Sequence, residues 1–97
     1  MNVVKSAIAE FLGTFFFLSV ILSTVTNASY GPIAVAVGLL AAIYFGASIS
    51  GAHFNPAVSV MMFAKGKIGM DTMLLYIVAQ ILGGLLAFGL NTYFLSN

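Results

Sequence analysis

Between Glu10 and Lys65 the sequence contains no Asp, Glu, Lys or Arg, and none follows Asp71. Soluble domains devote about a quarter of their residues to charge, so stretches this long without any cannot cover a water-facing surface. The charged share is 5% against 62% hydrophobic, and the mean hydropathy is +1.16. The chain is therefore expected to lie in a membrane.

Composition excludes several functions. There is no cysteine, so disulfides, thiol chemistry and Cys-rich metal sites are ruled out. A net charge of +1 offers no basis for binding nucleic acid. One His and two carboxylates cannot supply a nucleophile with its base or an acid/base pair, so no enzyme activity and no cofactor are expected. Lys5 ahead of an apolar run resembles a secretory signal, but the run is too long, lacks a convincing cleavage site and is followed by two more of its kind.

A bilayer core of about 30 Å needs about 20 apolar residues at 1.5 Å each. Residues 5–26, 33–50 and 71–95 meet that requirement, with the turn-rich "TNASYGP" separating the first two. The stretch 55–65 is too short to cross and too apolar for a solvent loop. It is read as a re-entrant half-helix, which a membrane tolerates only where protein buries its irregular backbone or a wet cavity receives it. The expected fold class is an all-α membrane protein of three transmembrane helices and one re-entrant half-helix, forming a single repeat over 1–97.

Small residues recur at Gly38, Ala42 and Gly46 and again at Ala79, Gly83 and Ala87, spacings that let another helix approach closely. The half-helix begins with "NP". Asn55 caps it through its side-chain oxygen, Pro56 suits the first turn, and the Asn amide NH2 stays free to donate ahead of the helix. That end carries about half a positive charge and repels cations, while Lys65 and Lys67 suit the opposite end.

The "SGAHF" backbone before Asn55 has no helix to take up its carbonyls, which are left to accept hydrogen bonds from a passing water or hydroxyl. His53 lacks a second His or Cys for a metal site and is expected to hydrogen-bond its own loop. Glu10 is an ionisable group inside the first span, a functional candidate by default. The favoured role is structural, accepting N–H groups from the irregular loop.

"AEFLGTFFF", "SGAHFNPAV" and "YIVAQILGG" together resemble the first half of the aquaporin and glycerol-facilitator family, the major intrinsic proteins. The resemblance covers nearly the whole chain. It implies six spans in two inverted repeats, of which this sequence resembles one, and a passive channel for water or small neutral solutes such as glycerol. Asn55, Pro56 and Ala57 would form the half-helix start at the pore centre, and Gly51, Ala52, His53 and Phe54 the carbonyl ladder. Glu10 would brace the loop. Phe17 and Leu39 match wall positions, while Val35, Ile43, Ala52 and Val58 match the narrow ring. The family's second repeat usually places an Arg where Val58 matches, and this sequence has none, so the implied ring is apolar and wide.

One repeat leaves its cavity side facing lipid. The expected partner, besides the lipid bilayer, is a second copy in the opposite orientation, an antiparallel homodimer; four such pairs would mimic the family's usual tetramer. All three lysines fall on one side, which by the positive-inside rule favours a single orientation. Dual insertion is preferred because three lysines bias only modestly. The alternatives are a non-conducting half that needs a different partner and a proton-coupled small multidrug exporter using Glu10.

Overall fold

The computed structural model describes residues 2–95. Four helices occur in chain order: α1 (Val3–Thr24), α2 (Gly31–Ser50), α3 (Pro56–Ala64) and α4 (Met70–Leu90), the last continued by a π-helical stretch, Asn91–Leu95. α1, α2 and α4 with its extension are each long and apolar enough to cross a membrane. The chain is an all-α, multi-pass integral membrane protein.

Local chemistry sets each boundary. Asn2 caps α1, its Oδ1 accepting from the N–H groups of Val4 and Lys5 at 3.0 and 3.2 Å. Asn27 closes the turn to α2 by accepting from Ser29 and Tyr30, both at 2.9 Å, and Pro32 occupies the first turn of that helix. α2 stops where Gly51 turns left-handed at φ 90°. α4 starts with Asp71 in its first turn, where a carboxylate meets the positive end of the dipole.

α1 is the centre of the arrangement. α4 and α2 pack on its two sides, α3 packs on α4, and among the described residues the backbones of α2 and α4 stay apart, bridged by Tyr76 at the end of α2. Small side chains allow the close approach. A β-carbon at Gly83 would stand 2.6 Å from the carbonyl oxygen of Phe11, so α4 rests directly on the backbone of α1. Across the α1–α2 seam Gly38 makes room for the side chain of Val20.

Gly46 serves a different purpose from the helix contact its spacing suggests. A β-carbon there would lie 2.6 Å from Cζ of Phe54, and Gly13 on α1 faces the same ring. The two glycines form a slot that takes the loop's aromatic side chain. Apart from the rings of Phe54 and Tyr76 the interior is small or polar, with Ser6, Glu10, Thr14, Ser50, His53, Ser59 and Gln80 all buried, while many of the large aliphatic side chains face outward. That inversion suits hydrocarbon surroundings, where apolar side chains gain nothing from being inside.

Candidate functional site

The site is built from α1 outward. Ser6, Glu10, Gly13 and Thr14 recur at i, i+4, i+7 and i+8, and all four are buried on the face that meets the rest of the chain. Glu10 is fully buried, and each carboxylate oxygen accepts two hydrogen bonds. Oε2 takes Ser50 Oγ at 2.6 Å and the His53 N–H at 3.0 Å. Oε1 takes the Phe54 N–H at 2.8 Å and Gln80 Nε2 at 2.9 Å. Four converging donors require an acceptor on both oxygens, which only a carboxylate provides.

This arrangement dictates which way the loop's carbonyls face. All peptides among the described residues are trans, so each carbonyl points opposite to the N–H of the residue after it. The N–H of Ala52 is held by Ser50 Oγ at 3.1 Å, and those of His53 and Phe54 are held by Glu10. The carbonyls of Gly51, Ala52 and His53 are therefore turned away from the buried carboxylate. Among the described residues nothing donates to them or to the carbonyl of Phe54.

The conformation carries strain. Ala52 and Phe54 lie at φ 54° and 53°, a region costing about 1–2 kcal/mol for a residue with a β-carbon. The hydrogen bonds to Glu10 and the burial of the Phe54 ring between Gly13 and Gly46 oppose that cost.

A second network ties the half-helix to α4. Ser59 Oγ lies 2.8 Å from His53 Nδ1 and accepts from Gln80 Nε2 at 3.0 Å. His53 thus bonds to α3 rather than to its own loop, and its ring sits edge-on to Tyr76 at 5.0 Å. Tyr76 donates to the carbonyl of Ser50 at 2.7 Å, and Ser6 to that of Ile49 at 2.8 Å, so the last carbonyls of α2 are satisfied from α1 and α4.

Asn55 caps α3 through Oδ1, which accepts from the Ala57 N–H at 2.8 Å. Its amide nitrogen has no partner among the described residues, and the residue is exposed. Asn55 and Pro56 line a groove of about 440 Å³ with Thr14, Phe17 and Phe54, which places them halfway along α1. By Lys67 the chain has returned to the end of α2, sharing a notch with Ser48, Ile49 and Gly51. It goes out to mid-height and comes back.

Phe17 therefore shares the groove of Asn55. Val35, Leu39, Ile43 and Val58 do not line it: the first two and Val58 are half-buried and Ile43 is exposed. Ala57 is exposed on the first turn of α3, and Lys65 caps its far end. Gln80 Oε1 and Thr14 Oγ1, from two residues of the same groove, are buried without a partner among the described residues.

Sequence reasoning missed the roles of Ser6, Ser50, Ser59, Tyr76 and Gln80. A signal existed for two of them, because Tyr76 and Gln80 are spaced i, i+4 and fall on the stripe of Ala79, Gly83 and Ala87.

Three membrane-length helices with an out-and-back segment beside them, its N–H groups turned in and its carbonyls out, define a membrane protein built on a re-entrant half-helix. The chain belongs to the major intrinsic protein family, whose model matches residues 1–97. It is 37% identical over 105 residues to a glycerol uptake facilitator protein of Buchnera aphidicola, an alignment covering 99% of this chain and 40% of the relative. A probable aquaporin PIP1-5 of Arabidopsis thaliana is 38% identical over 97 residues, covering 88% of this chain and 34% of the relative. Aquaporin PIP2-4 of Zea mays is 38% identical over 106 residues, covering 89% and 37%. The chain thus spans well under half the length of these relatives. No solved structure matches it.

Proposed function

We propose that the chain forms one half of a passive conduit for water and small neutral solutes such as glycerol, completed by a second copy inserted in the opposite orientation. The observation that carries this reading is the row of unpaired carbonyls at Gly51, Ala52 and His53, leading to the free amide of Asn55 at the start of α3. Acceptors in a row, followed by a donor beside the positive end of a helix, suit a molecule that exchanges hydrogen bonds and carries no charge. The names of the relatives, a glycerol facilitator and aquaporins, support the same solute class. Val35, Ile43, Ala52 and Val58 would form its narrow ring, with Phe17 and Leu39 in the wall.

A second copy is invoked because the groove at Asn55 is open along one side of α1 and α4. The test is osmotic swelling of vesicles containing only the purified chain, under water and glycerol gradients. Flux above that of empty vesicles is expected, lowered about fivefold by Asn55→Ala, the equivalent of one lost hydrogen bond of about 1 kcal/mol. Flux no greater than that of empty vesicles would overturn the proposal.

One observation favours a different completing half. Lys5, Lys65 and Lys67 lie at one end of the molecule, which biases insertion toward a single orientation. Cysteine labelling from each side of the membrane separates the two. Labelling from both sides at one position supports the identical pair, and one-sided labelling supports a distinct partner.

A further inference from the structure

Two notches lie one below the other on the seam where α1 packs on α2. The outer one, about 160 Å³, is lined by Asn2, Lys5, Ser6, Ser48 and Ile49. The deeper one, about 360 Å³, is floored by Gly13 and Ala42 and walled by Leu12, Phe16 and Phe45. Lys5 and Leu12 are two turns apart on one helix face, so the notches are separated by about 10 Å along the membrane normal. Ser48, Phe45 and Ala41 follow the same stripe on α2.

Neither notch shares a residue with the groove at Asn55, so a solute in transit is not their occupant. Lys5 makes no ion pair among the described residues. Across the wall formed by Ser48 and Ile49, Lys67 lines the neighbouring notch and adds a second cation. The seam thus offers cations and a hydroxyl at the membrane surface, with a hydrocarbon slot directly beneath.

We propose that this seam seats one anionic phospholipid, with its headgroup phosphate at Lys5 and one acyl chain over Gly13 and Ala42. Charge complementarity selects the headgroup, and the depth and apolar lining of the lower notch select a hydrocarbon tail. Free phosphate could use only the upper notch. Lys65 caps α3 and lines neither notch, which separates a seat from the general attraction of a basic surface.

Native mass spectrometry of the full chain in detergent, with phosphatidylglycerol as the probe and phosphatidylcholine of equal chain length as control, tests the assignment. Phosphatidylglycerol adducts are expected to persist, to fall about fivefold in Lys5→Gln, and to recover in Lys5→Arg. Ala41→Phe, an exposed position that fills the lower notch, is expected to lower retention while circular dichroism shows unchanged helicity. Lys65→Gln should leave retention unchanged, and millimolar inorganic phosphate should not displace the lipid. Equal losses in Lys65→Gln and Lys5→Gln, full displacement by phosphate, or no effect of Ala41→Phe would each overturn the proposal.

Discussion

Gln80 donates through one amide nitrogen to Glu10 Oε1 at 2.9 Å and to Ser59 Oγ at 3.0 Å, joining α4 to α1 and to the half-helix at a single point. Seventy positions separate Glu10 from Gln80. The carboxylate that holds the loop is thus itself held from the far end of the chain.

Gln80→Leu is expected to destabilise the fold by about 1–2 kcal/mol, since it removes two hydrogen bonds and leaves Ser59 and Glu10 each one partner short. Gln80→Glu should cost more by bringing a second carboxylate against Glu10. Unfolding in mixed micelles at increasing denaturing detergent measures both, and equal stability of all three chains would contradict the role given to Gln80.

Glu10→Ala strips the loop N–H groups of their acceptor. Amide hydrogen exchange at His53 and Phe54 should accelerate sharply in that variant, while amides in the middle of α1 change little, because that helix keeps its own backbone hydrogen bonds. Glu10→Gln retains one acceptor oxygen and should give intermediate exchange. Solute flux through the unmodified chain should be indifferent to a pH gradient, whereas a proton-coupled exporter would require one.

Gly46→Ala forces a methyl group against the Phe54 ring and is expected to cost about 1–3 kcal/mol. Pairing it with Phe54→Leu should recover part of that loss, so a double-mutant cycle reads the contact itself. Strict additivity of the two substitutions would show that Gly46 and Phe54 do not meet.

Tyr76→Phe deletes the hydrogen bond to the Ser50 carbonyl and leaves the ring beside His53. A loss of about 1 kcal/mol is expected, with helicity unchanged by circular dichroism.

The class of fold was legible because the charges are so sparse: a gap from Glu10 to Lys65 and another after Asp71 leave room for three long apolar helices and a short one. The cap at Asn55 was legible for a local reason, since Asn followed by Pro acts on its own next turn. A lone carboxylate in an apolar span marked Glu10. The identity of its donors was not readable, because Ser50 and Gln80 reach it only once α2 and α4 have packed on α1. Gly46 misled for a related reason. Spacing reports that a face is small, but not whether a helix or an aromatic ring from a loop will occupy it.

The pairing of two copies is tested most directly by Ala57→Cys, an exposed position on the first turn of α3, in vesicles containing only this chain and treated with a short thiol cross-linker. If two half-helices meet start to start at mid-membrane, cross-linked dimers form, and they form between copies of opposite orientation. Chains that stay monomeric under those conditions, in vesicles where water flux is measured, would contradict the pairing.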